Sequence, residues 1–150
     1  MGKSYLRYRR EQVLGLVHAS PSPHSIGYIP ESKQGESRRA VSAALEQILV
    51  WDIRRGSLEG SLGGGESNVE VEVTSLILSS DTSAVFAGYA DGSLRVWDLA
   101  SASVLLTFNG HKSATTCLAE GQGSSGSLLL ASGSKDTDII VWDVVGEEGL

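Results

Sequence analysis

Leu128–Asp143 reads LLLASGSKDTDIIVWD, and it opens into two short apolar runs, Leu128–Ser132 and Ile139–Val144, with Gly133, Lys135 and Asp136 between them. Runs of that length, rich in Leu, Ile and Val and joined by a polar Gly/Asp segment, predict two antiparallel strands and a tight turn. The second run carries Val141-Trp142-Asp143, and the triplet recurs as Val50-Trp51-Asp52 and Val96-Trp97-Asp98. The tryptophans are spaced 46 and then 45 residues apart. That period organises the chain.

Outward from this stretch, each period divides into further short strands. Ala114–Leu118 opens the third unit after Asn109-Gly110-His111, and a Gly/Ser loop leads into Leu128. The second unit reads as strands at Val69–Leu78, Ala84–Tyr89, Leu94–Leu99 and Val104–Phe108, with turns at Ser79–Ser83 and at Asp91-Gly92. In the first unit Ile48–Ile53 is a strand closed by Arg54-Arg55-Gly56, while Val41–Leu45 suits a strand or a helical turn. Ser57–Asn68, with Gly63-Gly64-Gly65, reads as a flexible connector. Earlier still, Val13–Val17 suits a first strand, and the Pro-rich segment 19–38 suits loop around a short strand at Ser25–Ile29. No amphipathic helix is legible.

Groups of about four short strands at a period near 45 residues predict an all-β fold of propeller blades. A blade cannot bury both faces alone and must stack on its neighbours. Units ending near Trp51, Trp97 and Trp142 make about three blades of an incomplete ring, with the third unit truncated. Residues 1–150 are therefore expected to be the N-terminal part of a propeller.

Composition is ordinary for a globular protein, 41% hydrophobic and 20% charged, and 18 glycines suit many turns. No apolar run approaches the 18 residues of a membrane-spanning helix, so no membrane partner is expected. The single cysteine, Cys117, cannot form an internal disulfide, which fits a reducing intracellular location, and it is expected to be a small buried hydrophobe. The net charge of −6 is unevenly spread: residues 1–55 carry nine Lys/Arg against five Asp/Glu, and residues 56–150 carry three against thirteen. The basic excess, Lys3, Arg7, Arg9, Arg10, Lys33, Arg38, Arg39, Arg54 and Arg55, suits contact with phosphates or a partner, and equally suits solvated loops and strand edges.

Several literal motif matches fail on context. Gly121-x-Gly123-x-x-Gly126 is followed by a strand, where dinucleotide binding needs a helix. Ser132-x-x-Lys135 lacks the companion elements of a β-lactamase, and Gly110-His111-Lys112-Ser113 lacks the Gly-Lys step of a P-loop. His18 and His24 have no Cys or carboxylate at metal-ligand spacing. No nucleophile, base and orienter can be assembled, so neither catalysis, a small-molecule substrate, a cofactor nor a metal is expected.

Gly110-His111, Ser132, Asp136 and Trp142-Asp143 stand at the spacing of the WD-repeat β-propeller family, which this stretch resembles. The resemblance implies a structural tetrad of His111, Ser132, Asp136 and Trp142 inside one blade. Its chemistry is simple: an indole N–H needs an acceptor, a hydroxyl can accept it and donate onward, and a histidine can relay to a carboxylate. Asp136→Ala is expected to destabilise the fold by leaving its partners unpaired. The other repeats are partial. Asp91, Trp97 and Asp98 match, but Ala87 stands where Ser132 would correspond; Trp51 and Asp52 match, but Leu45 takes the Asp position.

Further segments, TFNGHKSA (Thr107–Ala114), VFAGYADGSLRVWDL (Val85–Leu99), ALEQILVWDIRRG (Ala44–Gly56) and SGSKDTDIIVWDVVGEEGL (Ser132–Leu150), are similar to the N-terminal end of WD-repeat subunits of the small-subunit processome, in its UTP-B subcomplex. That resemblance implies a non-catalytic scaffold of nuclear, nucleolar ribosome biogenesis. Its implied partners are sister WD-repeat subunits and other processome proteins, pre-rRNA and small nucleolar RNA during 18S rRNA maturation. Trp51-Asp52-Ile53-Arg54 also resembles the WDxR element of substrate receptors of cullin-type ubiquitin ligases, the alternative expectation.

Overall fold

A computed structural model describes residues 26–30, 37–63, 71–124 and 126–144. Eleven strands fall into three antiparallel sheets among these residues. The first contains β1 (Ile26–Pro30), β2 (Ser37–Ala44), β3 (Gln47–Asp52) and β4 (Ser57–Leu62). The second contains β5 (Val73–Leu78), β6 (Ala84–Tyr89), β7 (Leu94–Asp98) and β8 (Val104–Phe108). The third contains β9 (Thr115–Gln122), β10 (Leu128–Ser134) and β11 (Ile139–Val144). Each sheet is a meander in which sequential strands pair.

The three central hairpins are equivalent in register. Ala40 faces Trp51, Val85 faces Trp97 and Leu130 faces Trp142 across their ladders. Directly paired residues project to the same side of an antiparallel sheet. Each sheet therefore has a tryptophan face and an opposite face, and the two alternate along every strand.

The core lies between sheets, not within one. The tryptophan face of the second sheet, with Val85, Ala87, Tyr89 and Trp97, packs on Val41, Ala43, Ile48 and Val50 of the first. The tryptophan face of the third, with Leu118, Leu130 and Trp142, packs on Phe86, Leu94 and Val96 of the second. Sheet pairs of this kind are blades of one stack, and each buries apolar area only because a neighbour covers it.

Hydrogen bonds also cross the seams near β5 and β9. Val73 N donates to Leu45 O over 2.7 Å, and Thr74 Oγ1 donates to Thr115 O over 2.5 Å. Ser80 N and Oγ donate to the Glu120 carboxylate over 2.8 and 2.6 Å.

Two details differ from the sequence reading, and one open alternative is settled. The expected connector at Ser57–Asn68 begins with strand β4, whose side chains before Leu62 are all exposed. The alternation that reveals a half-buried strand is missing there because β4 is an outer strand. Val41–Leu45 resolves as strand, and the chain turns at Leu45, which takes φ +54°. Cys117 is exposed, because its face of β9 has no neighbouring sheet among the described residues. The strand expected at Val13–Val17 lies outside the described residues.

Candidate functional site

The third blade joins four side chains in one chain of hydrogen bonds. Trp142 Nε1 donates to Ser132 Oγ over 2.9 Å, Ser132 Oγ lies 2.8 Å from His111 Nε2, and His111 Nδ1 lies 3.1 Å from Asp136 Oδ2. The direction of every proton follows from the two ends. An indole can only donate and an ionised carboxylate can only accept. His111 Nδ1 therefore donates to Asp136, and in that tautomer of the neutral ring Nε2 accepts the Ser132 O–H, whose other acceptor is Ile140 O at 3.4 Å. Ser132 and His111 are both buried.

Local structure sets this geometry. Ser132 and Trp142 come from paired strands and lie on one face, since Ser132 faces Ile140 in the ladder. His111 arrives from the segment before β9, where Gly110 passes under the indole; a Cβ on Gly110 would lie 2.6 Å from the edge of Trp142. Phe108 packs on the same indole at a centroid distance of 5.2 Å. Asp136 sits in the β10–β11 turn, where Oδ1 accepts from Asp138 N over 3.0 Å and Oδ2 from Lys112 N over 2.8 Å.

Those donors hold the Asp136 carboxyl far below its ordinary 3.8, at about 2; the Lys112 amide contributes most, partial desolvation opposes it, and Asp138, His111 and Ser134 add to the lowering. The folded state thus binds this proton less readily than the unfolded chain. Its stabilisation is complete above the unfolded value near 4 and drains away as pH falls through about 2. Asp81, lowered by Ser79 and Ser83, and Asp98, lowered by Ser101, contribute in the same direction. Acid titration of circular dichroism should show the wild type losing stability across that window, and Asp136→Asn should lose measurably less. Equal acid dependence in the two proteins overturns this assignment.

The other blades satisfy their indoles differently. Trp97 Nε1 donates to Tyr89 Oη over 2.9 Å, two residues beyond Ala87, which is itself fully buried. Burial raises the Tyr89 hydroxyl above its ordinary value, and the guanidinium of Arg95 stacks 4.4 Å from the ring centroid. Trp51 Nε1 donates to Ser42 Oγ over 3.1 Å. Sequence reading missed both acceptors. Ser42 pairs with Leu49 on the same face of the sheet as Trp51, and it precedes the tryptophan by nine residues where Ser132 precedes by ten, because the first turn is shorter.

Asp91 makes no bond to an indole in these contacts; it accepts from Ser93 N over 2.8 Å, as Asp136 does from Asp138 N. The aspartates after the first two tryptophans close the next turn. Asp52 Oδ1 accepts from Arg55 N over 2.9 Å, and Asp98 Oδ2 accepts from Ser101 N over 2.7 Å. These are structural devices for ending a strand.

The basic candidates separate. Lys3, Arg7, Arg9 and Arg10 lie outside the described residues. Arg54 and Arg55 are exposed in the β3–β4 turn, with Arg55 Nε 3.7 Å from Asp52. The β2–β3 ladder places Arg39 opposite Asp52, and Ile53 N bonds Arg38 O, so four arginines gather at one end of the first sheet. Among the described residues no group of three His, Cys, Asp or Glu side chains is placed to hold a metal, and no helix is long and apolar enough to cross a membrane.

Comparison with known proteins matches this architecture. The Vps8 beta-propeller profile matches residues 40–121, more than half of the chain. The WD domain, G-beta repeat profile matches residues 102–143. The chain belongs to the WD-repeat β-propeller family. The WD match runs through β8 and on to β11, so one sequence repeat spans two sheets and ties the second blade to the third.

Among individual relatives, the chain is 40% identical over 130 residues to U3 small nucleolar RNA-associated protein 12 of Saccharomyces cerevisiae, an alignment covering 79% of this chain and 14% of that protein. It is 35% identical over 112 residues to WD repeat-containing protein 3 homolog of Dictyostelium discoideum, covering 75% of this chain and 11% of the relative. It is also 33% identical over 98 residues to Autophagy-related protein 16 of Arabidopsis thaliana, covering 65% and 18%. The chain therefore spans less than a fifth of these relatives.

Proposed function

We propose that this chain forms part of a non-catalytic scaffold subunit in small ribosomal subunit biogenesis, acting in pre-rRNA processing within a nucleolar, snoRNP-containing processome. The observation that carries the reading is its 40% identity, over 79% of the chain, to a protein named for association with U3 small nucleolar RNA. The geometry is compatible with that role. The side chains of His111, Ser132, Asp136 and Trp142 are spent on holding the third blade together, which leaves sheet ends and turns as the surfaces available to partners.

The arginine end of the first sheet is the proposed contact for pre-rRNA, small nucleolar RNA or acidic protein, since clustered Arg binds phosphate by counterion release and bidentate bonding. Tagged chain expressed in cells should co-purify U3 small nucleolar RNA and sister WD-repeat subunits from nucleoli. Arg54→Glu combined with Arg55→Glu should reduce RNA crosslinking at this turn at least several-fold. A chain that recovers no more U3 RNA than an unrelated WD-repeat protein overturns the scaffold reading.

A further inference from the structure

The turn that carries the arginine contact also carries a serine. From Arg54 the chain reads Arg-Arg-Gly-Ser-Leu, ending two residues into β4. Arg54, Arg55, Ser57 and Leu58 are all exposed, and Gly56 turns the chain at φ +66°. Arginines three and two residues before a serine, with an apolar residue after it, form the pattern that arginine-directed protein kinases read. Carboxylates in such a kinase cleft bind guanidinium groups bidentately, and an apolar slot takes the side chain after the serine. The segment can enter that cleft. Ser57 and Leu58 begin an outer strand opposite Asp52 and Trp51, and the register slips just beyond them, between Trp51 and Val50. Lifting them breaks only the end of one ladder, where strands open at least cost.

The fold adds a third guanidinium that the local sequence does not contain. Arg39 faces Asp52 in the β2–β3 ladder, and Asp52 faces Ser57 in the β3–β4 ladder. Directly paired residues project to one side, so Arg39, Asp52 and Ser57 form a row across three strands. Arg39 reaches Glu59 at 4.0 Å and Arg55 reaches Asp52 at 3.7 Å, long pairs at the surface that contribute little and exchange readily. Four arginines at this sheet end, Arg38, Arg39, Arg54 and Arg55, stand against two carboxylates, Asp52 and Glu59, which leaves two positive charges. A phosphoserine brings a charge of about −2 and cancels them.

We propose that Ser57 is a phosphorylation site for an arginine-directed kinase, and that its phosphate closes the arginine end of the first sheet to nucleic acid, an effect that rests on the RNA contact proposed above. In the transfer, Ser57 Oγ bonds to the γ-phosphorus of ATP, the bond from that phosphorus to the ADP oxygen breaks, and the hydroxyl proton passes to the kinase's catalytic aspartate. The new phosphate lies beside Asp52, within reach of Arg39 and Arg55. It takes their guanidinium groups from Asp52 and Glu59, because a dianion with three acceptor oxygens binds them more strongly than a carboxylate does. An RNA backbone needs the same donors, so the phosphoserine competes with it from a fixed position.

The test uses the full 150-residue chain, with cyclic-AMP-dependent protein kinase and ATP as the probe. Mass spectrometry should place phosphate on Ser57 of the folded chain. Arg54→Ala combined with Arg55→Ala should slow that incorporation several-fold. By phosphorus NMR, the second ionisation of the phosphoserine should lie lower in the folded chain than in urea. Unfolding keeps Arg54 and Arg55 beside the phosphate but takes Arg39 away, so Arg39→Gln should narrow the difference. Phosphorylation should weaken binding of a U3 small nucleolar RNA transcript several-fold at low salt. Ser57→Ala, treated with kinase in the same way, should bind as untreated wild type does. No phosphate on Ser57, or the same ionisation folded and unfolded, overturns the site. Equal RNA affinity before and after phosphorylation overturns its control of the contact. An unmodified chain with no RNA affinity overturns the RNA contact itself, and incorporation and ionisation then decide the phosphorylation site alone.

Discussion

Ser132→Ala should lower the unfolding free energy by about 2–4 kcal/mol, the largest effect expected of any single atom removed from this chain. Ser132 Oγ is the middle of the relay: it accepts from Trp142 Nε1 at 2.9 Å and donates to His111 Nε2 at 2.8 Å. Its residue is 1% exposed, so water cannot replace it without rearrangement. Each buried group left unpaired costs about 1–3 kcal/mol, and two are stranded at once. The packing loss is small, because Ala keeps the Cβ. Urea unfolding followed by tryptophan fluorescence measures the difference at unchanged m-value. The matched control is Ser42→Ala, which strands one indole, that of Trp51, where Ser132→Ala strands an indole and a buried imidazole, and it should cost less. Equal loss in the two variants, or none in Ser132→Ala, means the relay does not stabilise the third blade.

The third blade was legible because its acceptor, relay and anchor are coded at fixed spacing by residue types with few alternatives. The second was not, since a tyrosine two residues further along the strand reaches the same indole from a different backbone position. Side-chain length replaced spacing there, and no periodicity reveals that. Strand β4 escaped notice for another reason. SLEGSL lies at the outside of its sheet, so burial does not impose alternation, and its ladder to β3 rests on backbone bonds that any sequence can make. Cys117 shows the converse limit: its residue type suits a core, but exposure depends on whether another sheet covers its face, which local sequence does not encode.

Gly92→Ala should cost about 2–5 kcal/mol, although it adds one methyl group. Gly92 closes the β6–β7 turn, donating to Tyr89 O over 3.1 Å, with φ at +86°. An L-residue in that region costs about 1–2 kcal/mol. The added Cβ also meets backbone: it would lie 2.5 Å from His111 O and 2.8 Å from Ser113 O. Backbone cannot rotate away as a side-chain tip can, so the segment before β9 must shift, at a typical overpacking cost of about 1–3 kcal/mol. That shift would also pull His111 Nε2 off Ser132, because the histidine's own carbonyl is the atom displaced. The two large effects are therefore coupled. In a double-mutant cycle, Gly92→Ala with Ser132→Ala should destabilise by less than the sum of the single changes, since the relay can be lost only once. Gly60→Ala supplies the baseline: with no atom within 4 Å of its Cβ and no positive φ, it should stay within about 0.5 kcal/mol of wild type. Strict additivity in the cycle would show that the β6–β7 turn and the relay act independently, and that the second blade does not position the histidine of the third.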